Sequence, residues 1–179
     1  MYTRTLNQEE LVDWLENYQT DYFCTLTFRF PRNFNSYGRE KVSKVIRKFR
    51  NILSKKLFGR QPFRLNFIPF IEDQAVSGRP QQIHVHLLIS KPDNDSRLPS
   101  LGTSFKTLIK ETWSDSDKHC SKHITWVKDS FITYKSHCSK SVLKIHNQKG
   151  ALIYASKLTT KTNTECLDVN NLILITGYC

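Results

Sequence analysis

His84 and His86 are one residue apart in Ile83-His84-Val85-His86-Leu87-Leu88-Ile89-Ser90. A strand alternates its faces with period two, so the two imidazoles project to one side while Val85, Leu87 and Ile89 project to the other. Neutral imidazole is a ligand for divalent metals, and two held side by side on a strand are half of a metal site. Phe63 to Glu72 reads as the strand before it, rich in Phe and Ile, and Val76-Ser77-Gly78-Arg79-Pro80 is turn chemistry. An antiparallel hairpin of these two strands brings Glu72 toward the histidines. The neighbouring Asp73 competes for the same role, because a one-residue change of register exchanges their faces.

Tyr154 is followed three residues later by Lys157 in a stretch with helical spacing. Positions i and i+3 share a helix face, so a phenol and an ammonium project together. The reactive form of tyrosine is the phenolate, with an ordinary pKa of about 10, and a nearby cation favours the charged form. A tyrosine nucleophile can form a covalent intermediate. A divalent ion held by two His and one Glu polarises a phosphoryl oxygen and orients a phosphodiester. Together these groups would break a DNA strand and keep the bond as a phosphotyrosine.

The remaining elements must position these groups. Leu6 to Tyr18 reads as a helix: Asn7 can cap it, Glu9 and Glu10 suit its first turn, and Leu11, Trp14, Leu15 and Tyr18 recur at spacings of three and four. Asp21 to Phe30 reads as a strand ended by Pro31, Asn33 and Asn35. Arg39 to Phe58 carries one apolar stripe and, on its other face, Arg39, Lys41, Lys44, Arg47, Lys48, Arg50, Lys55 and Lys56. Lys91 to Ser100 is a polar loop with two prolines, and Ser104 to Trp113 is a short helix. Lys122 to Val127 fits a strand, and Ser130 to Ser141 has only weak periodicity. Ser141 to Lys161 reads as a helix interrupted by Gly150, with a start near Asn147 as the alternative. Leu172-Ile173-Leu174-Ile175, within Asn171 to Thr176, is an apolar run suited to a buried strand.

A chain of 179 residues without repeats or linkers predicts a single domain, residues 1–179. The hydrophobic fraction of 39% argues against disorder. No apolar run approaches the length of a membrane span, and Met1-Tyr2-Thr3-Arg4 opens onto a polar stretch rather than a signal peptide. Lys and Arg number 27 against 16 Asp and Glu, a formal charge of +11, which is the electrostatic footprint of a phosphate-rich partner and of nucleic acid first. An anionic membrane is the weaker alternative, because no basic helix carries a wide apolar face. Arg29, Arg32, Lys41, Arg47, Arg64, Lys128 and Lys161 are candidate DNA contacts, and Trp113, Trp126 and Phe30 candidate base-stacking groups, although such aromatics more often sit in the core.

The five cysteines, Cys24, Cys120, Cys138, Cys166 and Cys179, form no regular framework and read as free thiols of a reducing compartment, the cytoplasm. His119, Cys120, His123, His137 and Cys138 are of the right types for zinc, but their spacing matches neither a finger nor a ribbon.

At three of these stretches the sequence resembles the HUH endonuclease family, and within it the single-tyrosine replication initiators of rolling-circle elements. Phe23-Cys24-Thr25-Leu26-Thr27-Phe28 looks like the family's first motif, Ile83 to Ile89 like its metal-binding motif, and Tyr154-Ala155-Ser156-Lys157 like its Tyr-x-x-Lys. The resemblance spans roughly Tyr22 to Lys161. It implies an α+β fold, a central antiparallel sheet of the ferredoxin-like HUH palm type flanked by helices. His84, His86 and Glu72 would bind Mg²⁺ or Mn²⁺. Tyr154 would attack single-stranded DNA at an origin or hairpin, leaving a 5′-phosphotyrosine and a free 3′-hydroxyl, with Lys157 or Lys161 as the helper cation. The chain has no phosphate-binding loop of the helicase kind, so a host helicase and polymerase would be partners, in the host cytoplasm. A transposase of the same chemistry is the rival enzyme. A non-catalytic binder of single-stranded nucleic acid on a similar sheet is the rival outside enzymes.

Overall fold

The histidine strand is held on both sides in a computed structural model that describes residues 7–29, 37–74, 80–120, 142–157 and 166–175. Strand β1 (Tyr22–Thr27), helix α2 (Arg39–Phe58) and strands β2 (Phe67–Gln74) and β3 (Pro80–Ile89) follow helix α1 (Gln8–Glu16); helix α3 (Phe105–Ser116), strand β4 (Val142–Lys144) and helix α4 (Gln148–Ala155) complete the order. The sheet runs β2-β3-β1-β4, with antiparallel pairing throughout. An α+β fold with a central antiparallel sheet flanked by helices is therefore what the chain adopts.

Alternation along β3 divides the core in two. Val85, Leu87 and Ile89 join Val42, Phe49 and Leu53 of α2 and Leu108, Ile109 and Trp113 of α3 on one face of the sheet. Leu88 joins Phe23, Ile68, Leu11 and Leu15 of α1, and Leu152 of α4 on the other. Each large apolar side chain buried this way contributes ~2 kcal/mol, so the two layers fix the sheet between them. The histidines lie on the face covered by α1 and α4.

Local signals account for the helix starts. Asn7 accepts from the Glu10 N–H while the Glu10 carboxylate accepts from the Asn7 N–H, a reciprocal cap. Ser104 caps α3 through the Thr107 N–H. Asn147 caps α4 by accepting from the Gly150 N–H, so the glycine lies in the first turn, where it interrupts nothing.

Three expectations need correction. The helix does not run from Ser141: Val142 and Leu143 form a strand paired with Cys24 and Phe23, and α4 begins after Asn147, at the alternative start. Val142, Leu143 and Ile145 have a spacing that suits either state, and pairing with β1 decides it. The run Leu172 to Ile175 is not a buried strand; it is half-buried, and Ile173 makes a single isolated bridge to Phe67. Along the outer edge of β2, Phe67 and Ile71 donate to the carbonyls of Ile173 and Cys166, but Pro69 between them has no N–H and can only accept, from Asp168. A continuous ladder is thus impossible there, and residues 166–175 cover the edge as an irregular strap. Trp113 is no base-stacking group: it is 1% exposed, donates its indole N–H to the Thr27 carbonyl at 2.9 Å and packs on Phe28 and Phe49.

Strand β2 starts at Phe67, later than the predicted Phe63, and continues to Gln74. Among the described residues no helix is long and apolar enough to cross a membrane. Cys24, Cys120 and Cys166 are buried free thiols.

Candidate metal centre and its tyrosine

Cross-strand register sets the centre. Glu72 lies opposite His84, and Phe70 opposite His86, so Glu72 and both histidines share one sheet face. The register then shifts, since Gln74 lies opposite Pro80, and the irregularity falls on Asp73. Asp73 turns instead to Arg39, whose guanidinium donates to it at 3.0 Å. The choice between the two carboxylates is thereby made, and Glu72 is the one that faces the imidazoles.

Within the group, His86 Nε2 is 3.0 Å and His84 Nε2 3.4 Å from Glu72 Oε2, and the two Nε2 atoms are 3.3 Å apart. The outer nitrogens are engaged. His84 Nδ1–H donates to the Gln82 carbonyl at 3.0 Å, and His86 Nδ1 and the Thr25 hydroxyl, which can donate or accept, face each other at 3.4 Å. A neutral imidazole that donates from Nδ1 presents a lone pair at Nε2. Without an ion, an Nε2–H can donate to the Glu72 carboxylate; with an ion bound, the Nδ1–H tautomers would turn two lone pairs and the carboxylate oxygen toward one point. Glu72, His84 and His86, each offering one ligand atom within 4.8 Å of the others, could hold a metal ion.

The electrostatics suit a ligand set. Burial pushes the Glu72 carboxyl up, but hydrogen bonds from His84, His86 and Lys157 outweigh it and hold the group far below the usual carboxylate range. Burial pushes His86 down to about 4, against the pull of Glu72, so its ring is neutral at pH 7. His86 is 1% exposed and Glu72 4%, whereas His84 is half-buried and opens the centre toward solvent.

Tyr154 and Lys157 complete the cluster. The Tyr154 ring stands 5.1 Å from the His86 ring and 5.9 Å from Phe23, edge-on to both. Lys157 Nζ is 3.0 Å from Glu72 Oε2 and 4.1 Å from the centre of the Tyr154 ring. The two do not share a helix face as expected, because α4 ends at Ala155; Ser156 caps it, donating its N–H to the Leu152 carbonyl, and Lys157 belongs to the following turn. That turn, rather than helical spacing, folds the ammonium back over the ring. Helix α1 steadies it, since the Gln8 amide donates to the Ile153 carbonyl and the Ser156 hydroxyl.

Of the candidate DNA contacts, Arg29 is exposed at the end of β1, Lys41 lies over the Tyr37 ring and Arg47 is exposed on α2. Arg64 lies over the Phe58 ring at 5.3 Å. Arg32, Lys128, Lys161, Phe30 and Trp126 lie outside the described residues. So do His123, His137 and Cys138 of the possible zinc group; His119 donates from Nδ1 to the Arg29 carbonyl, and burial pushes the Cys120 thiol far above its ordinary range.

Thr25 and Gln82, the groups facing the outer nitrogens of the histidines, were not among the sequence candidates. Thr25 lies across from His86 on β1, and only the strand pairing puts it there. Gln82 had a signal in its place two residues before His84, on the same strand face, although it is its carbonyl that acts; its amide ties β3 to the Phe28 carbonyl. Compared with protein-family models, with curated proteins and with solved structures, the chain matches none.

Proposed function

We propose that this chain is a metal-dependent endonuclease that nicks single-stranded DNA at a specific site and transfers the strand, with Tyr154 as nucleophile. The observation that carries the reading is the convergence of a Glu72-His84-His86 group, a lysine on its carboxylate and a tyrosine ring against its buried histidine. Binding of nucleic acid alone would require no such group. His84, His86, Tyr154 and Lys157 lie in two of the three stretches resembling the single-tyrosine HUH replication initiators, and the reading extends to initiation of rolling-circle replication of a plasmid, phage or mobile element.

In this reaction the Tyr154 oxygen attacks phosphorus and loses its proton. A tyrosyl–phosphate bond forms as the bond from phosphorus to the 3′ oxygen breaks, and the departing oxygen takes up a proton to become a 3′-hydroxyl. Attack of a 3′-hydroxyl on the phosphotyrosine reverses the step and rejoins strands. A Mg²⁺ or Mn²⁺ ion held by Glu72, His84 and His86 would polarise the phosphate oxygens. Lys157 stabilises negative charge near the nucleophile, and the buried His86 and Phe23 hold the ring in place. Substrate would reach the centre past the half-buried His84. Host helicase and polymerase would act on the exposed 3′ end, in the cytoplasm that holds the element's DNA.

The test is incubation with a pool of single-stranded oligonucleotides and Mn²⁺, followed by denaturing electrophoresis and mass spectrometry. A DNA adduct on the peptide holding Tyr154, absent from Tyr154→Phe, is the expected result. An adduct that survives Tyr154→Phe would overturn the assignment of the nucleophile. Binding without any adduct, from a pool containing the native site, would leave a non-catalytic binder.

A further inference from the structure

The far end of α2 carries a second concentration of positive charge. Arg39, in the first turn, reaches Asp73 and the Ile71 carbonyl at the metal end of β2, and twenty residues of helix lead about 30 Å away from there. The last turns of α2 and the 3₁₀ turn Leu98–Leu101 enclose an open cleft of about 790 Å³ lined by Ile52, Lys55, Lys56, Arg97, Ser100 and Leu101. Half of that lining is cationic and none of it acidic. Lys56 engages Asp115 at 3.2 Å, while among the described residues neither Lys55 nor Arg97 has an acidic partner.

Arg97 is placed there by the backbone. Its N–H donates to the Leu57 carbonyl at 2.7 Å, anchoring the cleft wall to the end of α2. Gly59, at φ +65°, ends the helix, and a Cβ there would lie 2.5 Å from Arg97 Nη2. The guanidinium lies against the bare backbone of Gly59, a position that favours glycine because of its positive φ. A helix C-terminus attracts cations by its dipole, which explains positive charge at this end. The dipole does not explain why the cations ring an open cleft.

The approach to the cleft is also basic. Lys41, Lys48 and Lys55 are exposed and recur every seven residues, a spacing that keeps them in one row to within about 20° per repeat. The row spans about 21 Å from the metal end to the cleft, the footprint of an extended polyanion rather than a small one. We propose that the cleft is a docking site for the phosphodiester backbone of single-stranded nucleic acid, separate from the metal centre and on the opposite face of the sheet. Lys55 and Arg97 take the phosphates, and Lys41 and Lys48 guide the strand; the Ser100 hydroxyl, which donates to the Arg97 carbonyl at 2.7 Å, helps hold the turn that carries Arg97. The site does not depend on cleavage.

The experiment is fluorescence anisotropy of the full chain with a labelled single strand of about 30 nucleotides, in EDTA, between about 50 and 200 mM salt. Lys55→Gln/Arg97→Gln is expected to bind roughly tenfold more weakly, with the slope of log affinity against log salt reduced by about 1.4, two contacts at about 0.7 each. A control with the same loss of charge, Lys144→Gln/Lys149→Gln on β4 and α4, is expected to stay within about twofold. Ser100→Asp, an exposed change that retains Arg97, is expected to weaken binding as well, which guards against a folding defect in the double variant. Equal losses in both double variants, or wild-type binding by Ser100→Asp, would overturn the proposal. So would tripolyphosphate that protects the cleft lysines from modification without competing with DNA, since the ligand would then be a small polyphosphate.

Discussion

Lys157 Nζ lies 3.0 Å from Oε2 of Glu72, a carboxylate that is 4% exposed. A buried carboxylate is stable only where partners replace its water, and Lys157 is a partner that brings a permanent charge. Lys157→Met keeps the length and apolar stem of the side chain while removing that charge. We expect the variant to lose about 1–3 kcal/mol of stability at pH 7, read from urea unfolding in EDTA. An unchanged midpoint would mean that Glu72 is held in place without the Lys157 charge.

The centre should also stabilise the fold when it takes an ion. A ligand bound only by the native state adds about 2.7 kcal/mol at a concentration a hundred times its dissociation constant. Saturating Mn²⁺ is thus expected to raise the melting temperature of the wild type by several degrees, as a gain of about 1 kcal/mol does for a domain near this size. The shift should disappear in His86→Ala and in Glu72→Gln. A shift of undiminished size in both variants would place the ion elsewhere.

The sheet register separates two adjacent carboxylates. Asp73 faces Arg39 across a partly solvated pair, a kind of contact worth about 1 kcal/mol or less. Asp73→Asn should therefore keep the full Mn²⁺ shift and lose little stability, whereas Glu72→Gln should lose the shift. The reverse pattern in a thermal-shift titration would show that the register departs from Glu72 opposite His84.

That register marks the limit of what the sequence carries. Helices α2 and α3 were legible because their apolar residues recur with helical period over several turns and Ser104 supplies a cap. The alternation of His84 and His86 against Val85, Leu87 and Ile89 likewise assigned the faces of β3 correctly. Glu72 and Asp73 could not be told apart, since the difference lies in an irregularity that no local residue announces. Strand β4 was hidden because three residues are too few to show a period. The contact of Thr25 with His86 joins positions 61 residues apart, and it exists only once β1 and β3 pair. Lys157 does lie over the Tyr154 ring, but its turn, and not a shared helix face, brings it there.

The pH dependence of stability should carry the signature of His86. Burial lowers its folded pKa to about 4, whereas an unfolded histidine titrates near 6.5. Between these values the unfolded chain binds a proton that the folded chain refuses, so unfolding gains free energy as the pH falls. The stabilising contribution is complete above about pH 6.5 and is lost on acidification, on the order of 3 kcal/mol once the pH is below about 4. Glu72 is also held low in the folded state, but its contribution is lost only below the unfolded carboxylate value near 4.5, so the window from about pH 6.5 to 5 reports on the histidine. Urea midpoints measured in EDTA at intervals across that window should fall steadily for the wild type. His86→Gln, which cannot titrate, should give a flatter profile from a lower starting stability. If both profiles fall in parallel, the imidazole is not held neutral against Glu72, and the lone pair that a metal ligand needs is not available at Nε2.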